Sequence, residues 1–213
     1  MQRIENALIG LALGAVPVIA CLLAGWWIAI PFLPESRIFI AALTGVVFGL
    51  LIDLVFLKGW IHRAFSFKIW VWKAIYVFYS VGMLGFFMGV PIFHVLLAFP
   101  AGVFVGRWLA HTGADSARIR QVARRAAAFT TSVLSLVCLA SASIALVSPS
   151  TGRDLRGMLR LPFEVTTVMI LALIVVGGAA MLILNWWLTL RAAERAYACF
   201  AGGPASAALS RNS

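Results

Sequence analysis

From Ile69 to Gly106 the chain runs for 38 residues with a single charge, Lys73, and one histidine, His94. As one helix this run would be about 57 Å long, nearly twice the roughly 30 Å of hydrocarbon in a bilayer. It must turn back on itself. Gly89-Val90-Pro91, where glycine and proline fall together near its middle, marks the turn. The expectation is a tight hairpin of two membrane helices.

The rest of the chain has the same character. With 63 % hydrophobic and 11 % charged residues over 213 positions, it is far from the roughly one-quarter charged usual in soluble domains. A soluble domain of this size has too much surface to remain so apolar, so lipid has to serve as solvent. The expected fold is all-α: a multi-pass α-helical membrane protein with six transmembrane helices. These fall at about 7–30, 38–57, 69–88, 91–110, 127–148 and 165–190, in one domain over 1–200, with a disordered tail at 201–213. After the cysteine of Val18-Ile19-Ala20-Cys21 the apolar run continues, so the first segment reads as a retained span rather than a cleaved signal.

Charge counting supports the hairpin. With six spans and both termini cytoplasmic, twelve basic residues lie inside and four outside; with the long stretch as one span, seven lie inside and nine outside. The positive-inside rule selects six. Trp60, Trp70, Trp72, Trp108, Trp186 and Trp187 then gather near the inner interface, where indoles prefer to sit. The expected location is a plasma membrane, that of a prokaryote (its inner membrane). The net charge of +10 follows from basic loops facing anionic lipid, and nothing supports a nucleic-acid partner. Arg118, Arg120, Arg124 and Arg125 alternate with Ile119, Val122 and Ala123, as in an amphipathic helix at anionic headgroups that runs into the fifth span.

An ionisable group in mid-membrane costs about 2.5–3.5 kcal/mol on insertion scales, so each one calls for a reason. Gly45, Gly49 and Asp53 recur every four residues on one face of the second span, where glycines permit close packing. Asp53 lies five residues before Lys58, and Lys73 five after Lys68, which sets both at one depth on antiparallel neighbours. An Asp53–Lys73 ion pair is the sharpest structural expectation, although Lys73 could instead snorkel to the inner interface. Lys73, Tyr76 and Ser80 share a face of the third span, with Gly82, Gly85 and Gly89 roughly opposite, free to pack on a neighbour. Asn185 should reach the depth of Asp53, Lys73 and Tyr76, giving an inner polar cluster if the third and sixth spans adjoin. On the outer side His94 begins a face continued by Ala98, Gly102 and Gly106, and Glu164 could pair with it. Pro17 and Pro100 interrupt the helix hydrogen bonds of the first and fourth spans.

No metal site, structural zinc or disulfide framework is indicated, because Cys21, Cys138 and Cys199 stand alone; no cofactor is implied. The residues favour a small transporter or channel-like protein for an ion or small solute, with Asp53, Lys73, Tyr76, Ser80, His94, Glu164 and Asn185 as candidates for its path. The alternative is a non-catalytic membrane subunit, partnered by copies of itself or by another membrane protein through its small-residue stripes. A membrane-embedded enzyme is a minor third reading, since HExxH, GxSxG and phosphate-loop patterns are missing.

Overall fold

The computed structural model describes residues 2–86, 90–160 and 162–201, and every regular element among them is helical. In order these are α1 (Gln2–Ala29), α2 (Glu35–Arg63), α3 (Ile69–Phe86), α4 (Val95–His111), α5 (Ser116–Val147), α6 (Thr151–Leu159), α7 (Thr167–Ala172) and α8 (Gly178–Ala201). Single 3-10 turns occur at Ala64–Ser66 and Pro91–His94, and a π-helical turn at Leu173–Gly177 joins α7 to α8. Among the described residues six helical stretches are long and apolar enough to cross a membrane, which fits a multi-pass integral membrane protein. The outward faces agree: Leu54, Phe86, Val147 and Val168 are all more than 70 % exposed, a surface that lipid tolerates and water does not. The tip of the expected hairpin, at 87–89, and the tail after Ala201 lie outside the described residues.

The chain forms two compact units, one reaching Phe78 and the other starting at Tyr79. In the first, α1 and α2 pack antiparallel along a line of glycines. A Cβ on Gly25 would lie 2.6 Å from the carbonyl oxygen of Ala41, and one on Gly49 would lie 2.6 Å from Val18 Cα. At Gly45 the obstruction is the carbonyl oxygen of Cys21. The four-residue spacing read from sequence is thus a backbone-on-backbone seam. Lipid tails are as apolar as leucine, so helices in a membrane hold each other by such close approach rather than by hydrophobic exclusion.

Below the seam Ile9, Leu13 and Ala64 are buried among Leu57, Trp60, Ile61, Phe65, Phe67, Trp72 and Ile75. This corrects the expected loop after Leu57. Ile61 packs where Gly10 leaves room, and α2 stays helical to Arg63 before turning. Trp72 Nε1 donates to the Ala64 carbonyl at 3.2 Å and ties the start of α3 to that turn.

In the second unit α4 and α8 run parallel. Gly102 meets Thr189 and Ala192, and Gly106 meets Ala193 and Ala196. Ala98 is fully buried on the same face, so the small residues that continue His94 form a second glycine seam. α5 crosses against both helices. The basic segment and the fifth span are one continuous helix of 32 residues, about 48 Å and longer than the hydrocarbon is thick. Asp115 caps it by accepting from the Arg118 N–H at 2.8 Å, and Gly113 at φ +63° makes the left-handed turn that ends α4. Leu109, Ala114 and Ile119 are buried together, and Tyr197 of α8 donates its hydroxyl to the Ala114 carbonyl at 2.9 Å.

A Cβ on Gly82 or Gly85 would meet nothing within 4 Å, so this part of the glycine face of α3 is open rather than packed; Gly89 lies outside the described residues. The two kinds of glycine should respond oppositely to a methyl group. Gly49→Ala, forced against backbone, is expected to lower stability by about 1–3 kcal/mol. Gly82→Ala should stay within about 0.5 kcal/mol of the parent or exceed it, since alanine is the better helix former. Unfolding by SDS titration in mixed micelles reads both.

Candidate functional site

Each polar candidate stands where a seam or a helix end puts it. Asp53 follows Gly49 by one turn and faces Gly14 of α1, where a Cβ would lie 3.3 Å from Asp53 Oδ2 and 3.2 Å from Leu57. Its Oδ1 is buried and has no hydrogen-bond partner. Lys73 is exposed and Tyr76 half-buried on α3, and both take part in contacts of their own. The expected Asp53–Lys73 bond is not among the ion pairs of the described residues, where Arg191–Glu194 at 3.9 Å joins neighbouring turns of α8.

Ser80 and His94, both 1 % exposed, are brought together. The 3-10 turn begun by Pro91 delivers His94 to the head of α4, with Nε2 2.6 Å from the carbonyl oxygen of Ser80. A carbonyl only accepts, so Nε2 carries a proton and donates it. Nδ1 and Ser80 Oγ are both buried without partners. The suggested His94–Glu164 pair does not form: Glu164 is exposed in the segment before α7, while His94 is enclosed.

Asn185 is wholly buried, in a cluster of threonines. Its Nδ2 donates to Thr130 Oγ1 at 3.2 Å and to Thr131 Oγ1 at 3.1 Å. Thr130 Oγ1 lies 3.1 Å from Thr189 Oγ1 and donates to the Ala127 carbonyl at 3.1 Å. Thr189 Oγ1 also lies 2.9 Å from the carbonyl oxygen of Asn185, one turn back. This network bridges α5 and α8, and Asn185 Oδ1 is left without a partner. Sequence reasoning singled out Asn185 and passed over Thr130 and Thr189. The available signal was a Thr-Thr pair inside an apolar helix and a threonine four residues beyond the one intramembrane asparagine.

Arg118, Arg120, Arg124 and Arg125 are all exposed on α5. Arg107 of α4 stands over the Phe200 ring, 4.4 Å from its centre, at the same end of the unit. Two clefts lie elsewhere. One, of about 220 Å³, runs between Pro149, Gly152 and Val165; the other, of about 430 Å³, lies between Gly25, Phe32 and Ala41. None of the expected residues lines either. Among the described residues no three His, Cys, Asp or Glu side chains gather as metal ligands, and Cys21, Cys138 and Cys199 are free thiols.

The chain matches no protein-family model, and comparison with curated proteins and with solved structures gives no match.

The threonine cluster makes its own prediction. Thr130→Val keeps the shape but removes the acceptor shared by Asn185 and Thr189. It should cost roughly 1–2 kcal/mol, and the loss in the Thr130→Val, Asn185→Leu double variant should fall short of the sum of the two singles. Thermal unfolding in detergent of the four proteins completes the cycle.

Proposed function

We propose that this protein is a small membrane transporter or channel-like protein for an ion or small polar solute. One observation carries the reading. The buried side-chain atoms without partners among the described residues are Asp53 Oδ1, Ser80 Oγ, His94 Nδ1 and Asn185 Oδ1, all on helices with the length and composition of membrane spans. In hydrocarbon no water is at hand to complete such a group, and leaving it bare costs on the order of a few kcal/mol. A partner helix docking on the outside does not reach enclosed atoms. A proton, a water or a small solute entering between helices does. The proline within α4 and the π turn before α8 supply helix irregularities of the kind that accompany such paths.

The reading places the protein in a prokaryotic plasma membrane with both termini cytoplasmic. Arg118, Arg120, Arg124 and Arg125 then meet anionic headgroups at the inner surface. A cysteine introduced at Asp115 should be modified by a membrane-impermeant maleimide in inverted vesicles and stay unreacted in intact cells; the reverse pattern would overturn this orientation.

A second reading, a non-catalytic subunit paired with itself or another membrane protein, has one observation in its favour: the open face at Gly82 and Gly85. The two readings part at Asp53. For transport, Asp53→Asn should leave a monodisperse protein with near-parental thermal stability whose solute flux in proteoliposomes falls about tenfold or more. A parental protein that gives no flux for any solute tried, and that purifies with a fixed partner released by Gly82→Leu, would establish the subunit instead.

A further inference from the structure

We infer that Asp53 is a proton-binding site, held as a carboxylic acid whose O–H donates to the backbone carbonyl of Leu13 across the seam between α1 and α2. This names the species that the transport reading above leaves open at Asp53, and what the proton does there rests on that reading.

The register of the seam brings the two groups together. A Cβ on Gly49 would lie 2.8 Å from the Pro17 carbonyl oxygen, and one on Gly14 would lie 3.3 Å from Asp53 Oδ2. Asp53 therefore faces the turn of α1 between Gly14 and Pro17. That turn lacks a donor. Pro17, inside the helix, has no N–H to give the Leu13 carbonyl four residues back, and that carbonyl points into the same turn. Leu13 is only 5 % exposed, packed with Ile9, Ala64 and Leu57 where water does not reach. A carbonyl accepts, and an ionised carboxylate does nothing else. One proton on Oδ2, the oxygen nearer α1, makes a donor of it and joins the two groups.

The charges around Asp53 offer no other way to satisfy it. Its Oδ1 is buried without a partner, and the ion pair of the described residues is elsewhere, on α8. From Ile9 to Ala29 α1 has no charged residue, and its one titratable side chain, Cys21, stands about two turns above Gly14. Arg3 and Glu5 lie nine residues or more before Gly14, about 13 Å along the helix. On α2, Lys58 is exposed and set about 140° round the helix from Asp53, with His62 and Arg63 further on. Lys73 and Tyr76 of α3 are engaged in contacts of their own. A carboxylate enclosed with neither cation nor donor is far costlier than the neutral acid, so the group keeps a proton.

Infrared spectroscopy of the purified protein in lipid nanodiscs at neutral pH tests this. The parental protein should show a carboxylic-acid C=O band that shifts in D2O and is lost in Asp53→Asn, a change of nearly equal shape. Pro17→Ala returns an N–H to the Leu13 carbonyl, so the band should persist but move to the higher frequency of a less hydrogen-bonded acid. N,N′-dicyclohexylcarbodiimide, a lipid-soluble reagent that adds to carboxylic acids, should label the Asp53 peptide, more slowly as the pH is raised. Mass spectrometry of the labelled parental protein decides the matter if Asp53→Asn fails to fold. An acid band that Asp53→Asn leaves in place, or an unlabelled Asp53, would overturn the proton site. A band that Pro17→Ala does not move would overturn the bond to Leu13. The proton site and transport fail separately. An acid band in a protein that carries no solute in proteoliposomes sustains the first and sinks the second, whereas flux with Asp53 ionised does the reverse.

Discussion

Backbone-to-backbone contact through glycine and alanine is what both units depend on. Membrane helices gain little by hiding leucine from lipid that is itself hydrocarbon, so association rests on how closely two backbones approach. Gly25, Gly45 and Gly49 set that approach between α1 and α2, and Ala98, Gly102 and Gly106 set it between α4 and α8. The opposite faces can then be uniformly greasy, as Leu54 and Val147 are. A chain with so few charges stays specific because small residues, rather than polar ones, choose which faces meet.

The seams also decide the fate of the polar side chains. Asp53 is the next member of the Gly45–Gly49 row, so the packing that draws α1 inward closes over its carboxylate beside Gly14. His94 heads the Ala98–Gly102–Gly106 row and is enclosed for the same reason. Thr189 sits at the Gly102 contact, and from there its hydroxyl reaches Thr130 on α5. In each case a polar group lies at or next to a point of closest approach, where water is excluded and hydrogen bonds are strong when made and costly when not.

How much of this was legible follows from what a sequence encodes. Period and length are local properties, so six apolar helical stretches and the Gly45–Gly49–Asp53 face could be read directly. Azimuth could not: residues on consecutive helices meet only if both turn inward, and Lys73 is exposed while Asp53 faces Gly14. The His94–Glu164 pairing failed for a related reason. It rested on both residues lying near one surface, whereas the turn at Pro91 folds His94 back onto the Ser80 carbonyl. The threonines were hidden by their ordinariness, because a hydroxyl that returns its proton to its own helix looks like a neutral small residue until a partner such as Asn185 appears.

The π turn at Leu173–Gly177 sets a phase. It accommodates one residue more than an α turn, so everything beyond it is rotated by about 100° from the course of an unbroken helix. Asn185, Thr189, Ala192 and Ala196 all lie beyond it and form one face. That whole face, half of a glycine seam and half of a hydrogen-bond network, is aimed by a single extra residue. Around the turn Leu173, Val175 and Val176 are exposed, and a Cβ on Gly178 would meet nothing within 4 Å. Losing one residue there would remove little buried surface, yet it would turn the inner face of α8 away from α4 and α5. In this chain the count of residues between Thr167 and Asn185 matters more than which apolar residues they are.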